Sequence, residues 1–356
     1  MKVIIAGGGT GGHLFPAVAV GGEIRRQRPD SQVLYVGATN GLEARWMPRQ
    51  GLPHELLQVR GWTGKDPLTR LRALTEFAQA VGRARRLIAN FGANLVVGAG
   101  GYASAPVAVA AILKRVPLVL LEQNVRPGLS NRVLWRLARK ICVGFPESAA
   151  AFSPSKAAIT GNPVRFTIKP SDRESTGPIQ ILVLGGSTGA HRLNIGVLNA
   201  FKISAKSVIN LSITHQTGEA DAGIVAGGYK QLGLRAKVVP FIDDVASELE
   251  AADLIIARSG AMAVTEIALA GRPAIFVPYP FHRDRQQELN ARVVERKGGA
   301  VIVLDDEHLG ENLAVKLQEL TQDRDRLVQM GHAAASAAMP DAAAKVAAIC
   351  FTEARP

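Results

Sequence analysis

Short aliphatic runs alternate with longer, helix-patterned stretches along the whole chain. Val3-Ile4-Ile5 opens the series, and further runs in the first half fall at 33–36, 95–97, 118–121 and 141–143. Ile181-Leu182-Val183-Leu184 restarts it, followed by 211–214, 237–240, 254–257, 274–277 and 301–304. Short apolar runs separated by helical stretches predict parallel strands covered by helices. The chain therefore reads as α/β, with two doubly wound parallel sheets. Residues 162–180, rich in Pro, Ser, Asp and Arg, read as the linker. Residues 308–355 read as wholly helical, with an Ala-rich end expected to pack back across the first half. The expected domains are residues 1–164, rejoined by a helix at about 338–356, and residues 165–337.

The two halves share a motif. Gly7-Gly8-Gly9-Thr10-Gly11-Gly12-His13 returns as Gly185-Gly186-Ser187-Thr188-Gly189-Ala190-His191, each copy after an aliphatic run and before a helical stretch. Two strand–glycine-loop–helix openings predict two Rossmann-like units. Gly7, Gly9 and Gly12 have the GxGxxG spacing that lets a backbone approach a pyrophosphate at a helix N-terminus. A nicotinamide dehydrogenase would place an acid at the end of the second strand to hold the ribose. Here Tyr35-Val36-Gly37-Ala38-Thr39-Asn40 has none before Glu43, which weakens that reading.

Charge separates the halves as well. Residues 1–165 hold 22 Lys/Arg against 8 Asp/Glu, and residues 166–356 hold 20 against 22. A basic half faces a polyanion, either nucleic acid or an anionic membrane. With 5% aromatic residues and no recognisable RNA-binding or zinc-finger pattern, the membrane is the better partner. The expected contact is the helix containing Arg70, Arg72, Arg83, Arg85 and Arg86, with Leu71 and Leu74 turned to the sheet, together with Leu113-Lys114-Arg115. No apolar run is long enough to span a bilayer. The start reads as a strand rather than a signal peptide. Cys142 and Cys350 have no framework or metal spacing, which fits a reducing cytoplasm.

Candidate chemistry gathers in three places. His13 ends the first loop, where an imidazole either caps the helix or acts as a base; His191 holds the equivalent position in the second. Arg258-Ser259-Gly260-Ala261-Met262-Ala263-Val264-Thr265-Glu266 reads as a strand end, a turn and a helix bearing an acid. His282-Arg283-Asp284-Arg285-Gln286-Gln287-Glu288-Leu289-Asn290 collects polar groups at the next strand end. Each alone is more simply a solvated face, but at neighbouring strand ends they read as a ligand site. A carboxylate there can accept both ribose hydroxyls, and amides can read sugar hydroxyls. Asp323-Arg324-Asp325 reads as a solvated run and Asp243-Asp244 as a helix start, so no metal site is expected.

These segments, with Gly98-Ala99-Gly100-Gly101-Tyr102, Glu122-Gln123-Asn124, Gly161-Asn162-Pro163-Val164-Arg165 and Phe241-Ile242-Asp243-Asp244, run in the order of one family. The chain resembles the MurG family of UDP-N-acetylglucosamine transferases of peptidoglycan synthesis along nearly its whole length. The resemblance implies a GT-B architecture, two Rossmann-like domains facing across a cleft. It also implies an inverting enzyme without active-site metal or other cofactor. The implied substrates are UDP-GlcNAc and lipid I, with transfer to O4 of the muramic sugar at the cytoplasmic face of the cell membrane. By the same resemblance the Ser187 loop holds the pyrophosphate, Ile242 meets the uracil, and the run Ala261, Met262, Ala263, Val264, Thr265 and Glu266 binds the donor, with Glu266 on the ribose. Gln286 and Gln287 read the donor sugar, and Thr10, Gly11, Gly12, Asn124 and Arg165 complete the donor side. His13 is the implied base, and Gly100, Gly101, Tyr102 and Asn290 are the acceptor candidates. Leu121 stands where many relatives carry His, which moves the basic role towards His13. A GT-B enzyme acting on diacylglycerol and a UDP-sugar 2-epimerase remain the alternatives; the epimerase would have no use for a basic membrane face. A UDP-sugar-binding sensor would keep the second-half cluster but not need His13.

Overall fold

The structure, a computed structural model, describes residues 1–59, 67–168, 177–186, 189–204, 210–281 and 284–355, and for 67–72 the backbone alone. The chain divides into two compact units, residues 1–165 with 339–356, and residues 166–338.

In unit 1 the strands are β1 (Lys2–Ala6), β2 (Gln32–Ala38), β3 (His54–Leu57), β4 (Leu95–Gly98), β5 (Leu118–Glu122), β6 (Lys140–Val143) and β7 (Ala157–Ile159). They form one sheet in the order β3-β2-β1-β4-β5-β6-β7, every pairing parallel. Helices α1 (Gly11–Gln27), α2 (Glu43–Arg49), α3 (Pro67–Phe91), α4 (Ser104–Leu113) and α5 (Leu129–Leu134) make the crossovers. The apolar positions Ala80, Ala84 and Ile88 of α3 repeat every four residues and seal one face of the sheet with Val107, Ala111 and Leu134. The other face is closed by Leu14, Val20 and Ile24 of α1.

Unit 2 repeats the plan with β8 (Ile179–Leu184), β9 (Leu211–Gln216), β10 (Ala236–Val239), β11 (Leu254–Ala257), β12 (Ala274–Phe276) and β13 (Ala300–Ile302), ordered β10-β9-β8-β11-β12-β13. Its helices are α6 (His191–Ser204), α7 (Ala222–Gln231), α8 (Val245–Ala251), α9 (Ala261–Leu269), α10 (Gln286–Glu295), α11 (Leu309–Thr321) and α12 (Arg324–Ala335). Asp244 caps α8 by accepting the Ser247 N–H, and Asp323 caps α12 by accepting the Arg326 N–H.

Three expectations need correction. The tail is not wholly helical: it breaks at Asp323, which caps α12, and again around Pro340 before α13 (Ala342–Glu353). The linker is shorter than 162–180. Asn162 is buried with its Nδ2 on the Gln123 carbonyl at 3.0 Å, and Gln180 already belongs to β8. Leu74 does not face the sheet but is about half exposed.

Helix α13 belongs to unit 1, where Val346, Ala347 and Cys350 join the core against α1. The last segment of the chain thus completes the first core. A carboxylate placed at the fully buried Val346 would have no partner, at a cost of roughly 3–5 kcal/mol. Val346→Asp should therefore lower the unfolding temperature of unit 1 sharply, and Lys345→Asp on the exposed side of α13 should leave it nearly unchanged. Differential scanning calorimetry of the two variants checks this.

Candidate active site

Each sheet reverses its strand order once, between β1 and β4 and between β8 and β11. Ligands of doubly wound sheets bind beyond the carboxyl ends of the strands at that reversal. The two glycine loops leave β1 and β8, so each opens at its own unit's switch point.

In unit 1 the loop is held by an internal acid. Glu43, fully buried, accepts the Gly9 N–H at 3.0 Å (Oε1) and 2.9 Å (Oε2) and the Ala38 N–H at 2.7 Å. Thr10 stands at the N-cap position of α1 without a side-chain cap bond, and Gly11 and Gly12 form the first turn, whose amides carry the positive end of the helix dipole. His13 follows, with Nδ1 3.3 Å from Thr10 Oγ1. The loop after β4 presses on it. Gly100 and Gly101 have φ of +93° and +78°, and a Cβ on Gly100 would come within 2.6 Å of His13 Cδ2. A Cβ on Gly101 would lie 2.1 Å from the Gly8 carbonyl oxygen. Burial pushes the His13 imidazole down to about 4, which keeps it neutral. The Tyr102 ring covers Gly9, and its phenol is pushed up by burial and then by the Glu43 charge.

The Glu122-Gln123-Asn124 segment builds the neighbouring wall. Glu122 accepts N–H groups from Asn124 (3.0 Å) and Gly128 (2.9 Å) and from Asn131 Nδ2 (2.9 Å), while burial raises its pKa. Gln123 donates to the Ala99 carbonyl at 2.8 Å, tying this wall to the Gly100–Gly101 turn. Arg165 stacks over Phe15 of α1 at 4.0 Å and lies 5.5 Å from the Trp46 ring. Unit 1 therefore brings Thr10, Gly11, Gly12, His13, Gly100, Gly101 and Tyr102 to one switch point, with Asn124 at the next strand end.

In unit 2 the loop is clipped by a neutral amide. Gln216 accepts the Gly186 N–H at 3.0 Å and donates to the Gly186 carbonyl at 2.8 Å. Ser187, like His282 and Arg283, lies outside the described residues. His191 does not match His13, because its Nδ1 lies 2.9 Å from Asp221 Oδ1. Ile242 is buried beside the exposed Phe241. On α9 the side chains divide by phase. Ala263 and Glu266 are half-exposed; Val264 is fully buried and the Thr265 hydroxyl donates to the Ala261 carbonyl at 2.8 Å. The Val264 and Thr265 side chains are thus not available to a donor, and Ala261 and Met262 are buried as well.

One further residue differs from expectation. Asn290 is fully buried, with Nδ2 3.3 Å from the Ser259 carbonyl oxygen, so it supports the β11 loop and is no acceptor contact. Gln287 uses its side-chain oxygen on the Tyr279 N–H at 2.9 Å, which leaves its amide nitrogen for a ligand. Asp305 was missed by sequence reasoning. It is buried after β13 and accepts Arg258 Nη2 and Arg192 Nε, each at 2.7 Å, and so locks the β11 strand end. Its only signal in the sequence is an acid directly after an apolar run. Among the described residues no group of three or more His, Cys, Asp or Glu is placed to hold a metal ion.

Known proteins share this arrangement. Residues 3–143 match the N-terminal domain of glycosyltransferase family 28, and residues 180–346 match its C-terminal domain. The chain belongs to glycosyltransferase family 28. A family relative from Geotalea uraniireducens, a UDP-N-acetylglucosamine--N-acetylmuramyl-(pentapeptide) pyrophosphoryl-undecaprenol N-acetylglucosamine transferase, is 39% identical over 352 residues, covering 96% of each chain. The crystal structure of Acinetobacter baumannii MurG superimposes with a TM-score of 0.81 at 31% identity over 99% of both chains. A UDP-GlcNAc 2-epimerase from Neisseria meningitidis shares the fold alone, with a TM-score of 0.70 at 12% identity over 99% of this chain and all of that one. The architecture is GT-B, two parallel-sheet units as in the family 28 enzymes.

The low pKa of His13 has a consequence for stability. Between about pH 4 and 6.5 an unfolded chain binds a proton on His13 that the folded chain does not. Stability therefore falls as pH drops from 6.5 towards 4, and His13 adds no further loss below that. Denaturant melts across this window should show a flatter slope for His13→Asn than for the wild type.

Proposed function

We propose that the chain is an inverting N-acetylglucosaminyltransferase that moves GlcNAc from UDP-GlcNAc to O4 of MurNAc in undecaprenyl-pyrophosphoryl-MurNAc-pentapeptide, giving lipid II and UDP. The named relatives, similar along nearly the whole chain, support the substrates. One observation carries the division of labour: the first glycine loop already holds a carboxylate, and the second is clipped by a neutral amide. A pyrophosphate is repelled by the first and tolerated by the second. Unit 2 is then the donor unit, with Glu266 on the ribose, Gln286 and the Gln287 amide on the sugar, and the Ile242 backbone on the uracil. Unit 1 supplies the base and the acceptor loops.

The acceptor O4 attacks the anomeric carbon as the bond from that carbon to the β-phosphate oxygen breaks. UDP leaves with the bonding electron pair, and the O4 proton passes to the neutral imidazole of His13. Attack opposite the leaving group inverts the anomeric centre. A positioned base contributes typically about 10²–10⁴-fold, and losing a charge-assisted hydrogen bond costs roughly 1.5–3 kcal/mol. His13→Ala should thus lower turnover on that scale with UDP affinity nearly intact, and Glu266→Ala should weaken UDP-GlcNAc at least about tenfold. Transfer to a short-chain lipid acceptor and calorimetry with UDP-GlcNAc separate the two. A His13→Ala enzyme with most of its turnover would remove His13 from the chemistry.

The lipid acceptor gives unit 1 a membrane to meet. Among the described residues no helix is long and apolar enough to cross one. Leu129, Val133 and Leu137 are 75%, 62% and 63% exposed at four-residue spacing, with Arg132, Arg136 and Arg139 exposed among them. The exposed Leu113, Lys114 and Arg115 offer the same mixture; the side chains of Arg70 and Arg72 lie outside the described residues. Aliphatics beside long cations suit a reversible contact with an anionic bilayer, each cation contributing about 1 kcal/mol. Replacing Lys114, Arg132, Arg136 and Arg139 with Gln should therefore reduce sedimentation with anionic vesicles at low salt, without changing UDP affinity. Equal sedimentation of variant and wild type would place the contact elsewhere.

A further inference from the structure

We propose that Glu43 is a positioning residue of the active site, an internal carboxylate that fills the nest of the first glycine loop and sets the register of His13 and Tyr102. The assignment rests on the transferase reading for its kinetic consequence, but its structural consequence stands without it.

The geometry is built around this one side chain. Both Glu43 oxygens take the Gly9 N–H, and Oε1 also takes the Ala38 N–H, so the end of β2 and the loop after β1 share an acceptor. Three glycines give it room: a Cβ on Gly8, Gly37 or Gly41 would lie 2.1, 2.2 and 2.2 Å from Glu43 atoms. Such overlaps cannot be relieved by a side chain already held at both oxygens. On the far side of Gly9 lies the Tyr102 ring, 2.6 Å from where a Cβ would be, and Gly101 rests on the Gly8 carbonyl. Glu43 thus fixes Gly8 and Gly9 from below, while Tyr102, Gly101 and Gly100 pack from above and close on His13.

Successive backbone N–H groups of a glycine loop form a natural anion site. Here that site is filled from within, so the loop is ordered before any substrate arrives. A bound phosphate would have to displace a buried carboxylate. The loop is a preorganised support for the base rather than a phosphate cradle.

Removing the carboxylate should loosen the loop, let more water reach the partly exposed His13 ring and raise its pKa from about 4 towards 6.5. Titration of the His13 ring signals by NMR reads this in the free protein, with no substrate involved. In Glu43→Ala the His13 pKa should rise by at least about one unit, turnover should fall at least about tenfold, and UDP-GlcNAc affinity should stay within about twofold. Formate, small enough for the vacated space, should restore both the pKa and part of the turnover; chloride should not. Glu43→Gln keeps an acceptor oxygen for Gly9 and Ala38 and should stay closer to wild type on both readouts, and it decides the question if the alanine variant does not fold. An unchanged His13 pKa in Glu43→Ala overturns the proposal. So does a Glu43→Gln protein that folds with its His13 pKa raised all the way to 6.5. Absence of transfer by the wild type would instead overturn the transferase reading and leave the titration result standing.

Discussion

Backbone amides that leave the end of a parallel strand must find an acceptor, and both units are organised by how they meet that demand. A strand that ends in a glycine loop at a switch point exposes N–H groups with no ladder partner. In unit 1 the Gly9 amide takes a carboxylate from α2; in unit 2 the Gly186 amide takes the side-chain oxygen of Gln216. The backbone plan is otherwise the same, down to Gly7 N–H on the Val36 carbonyl and Gly185 N–H on the Gln216 carbonyl, each at 3.1 Å. One charge therefore separates two loops of common design.

That charge decides what each loop can hold. At a few ångströms in a partly desolvated site, a like charge disfavours a second anion by several kcal/mol, about 4 at an effective dielectric of 20. A neutral amide imposes no such penalty and still fixes the loop. Asp305 shows the complementary device: it pairs with both Arg258 and Arg192 at the β11 strand end, so that both guanidinium groups are held in structure. The two units thus share a backbone and differ in where their charges are already satisfied.

Much of the fold was legible because its signals are local. Continuous runs such as Val183-Leu184 or Ile255-Ile256 admit few alternatives to a buried strand, and a glycine cluster after such a run marks a switch-point loop. The strands β3 and β7 were missed for the opposite reason. They are the sheet's edges, and His54-Glu55-Leu56-Leu57 and Ala157-Ala158-Ile159 carry no sustained apolar run because one side stays open. The site was legible only as a set of segments. Whether Val264 or Glu266 faces outward depends on the rotation of α9 about its axis, and whether Asn290 reaches a ligand depends on the depth of α10 beneath the β11 loop. Glu43 entered the sequence reading only as the first acid after the second strand, and nothing in the sequence shows an acid turning inward to its own backbone.

The same burial that positions His13 also limits it. An imidazole whose conjugate acid has a pKa of about 4 is always available to accept a proton at neutral pH, yet it gains little by accepting one. Its basicity is low because the imidazolium is poorly solvated where Gly100 and Gly101 close on the ring. An imidazole held this way stays neutral in the free protein at neutral pH.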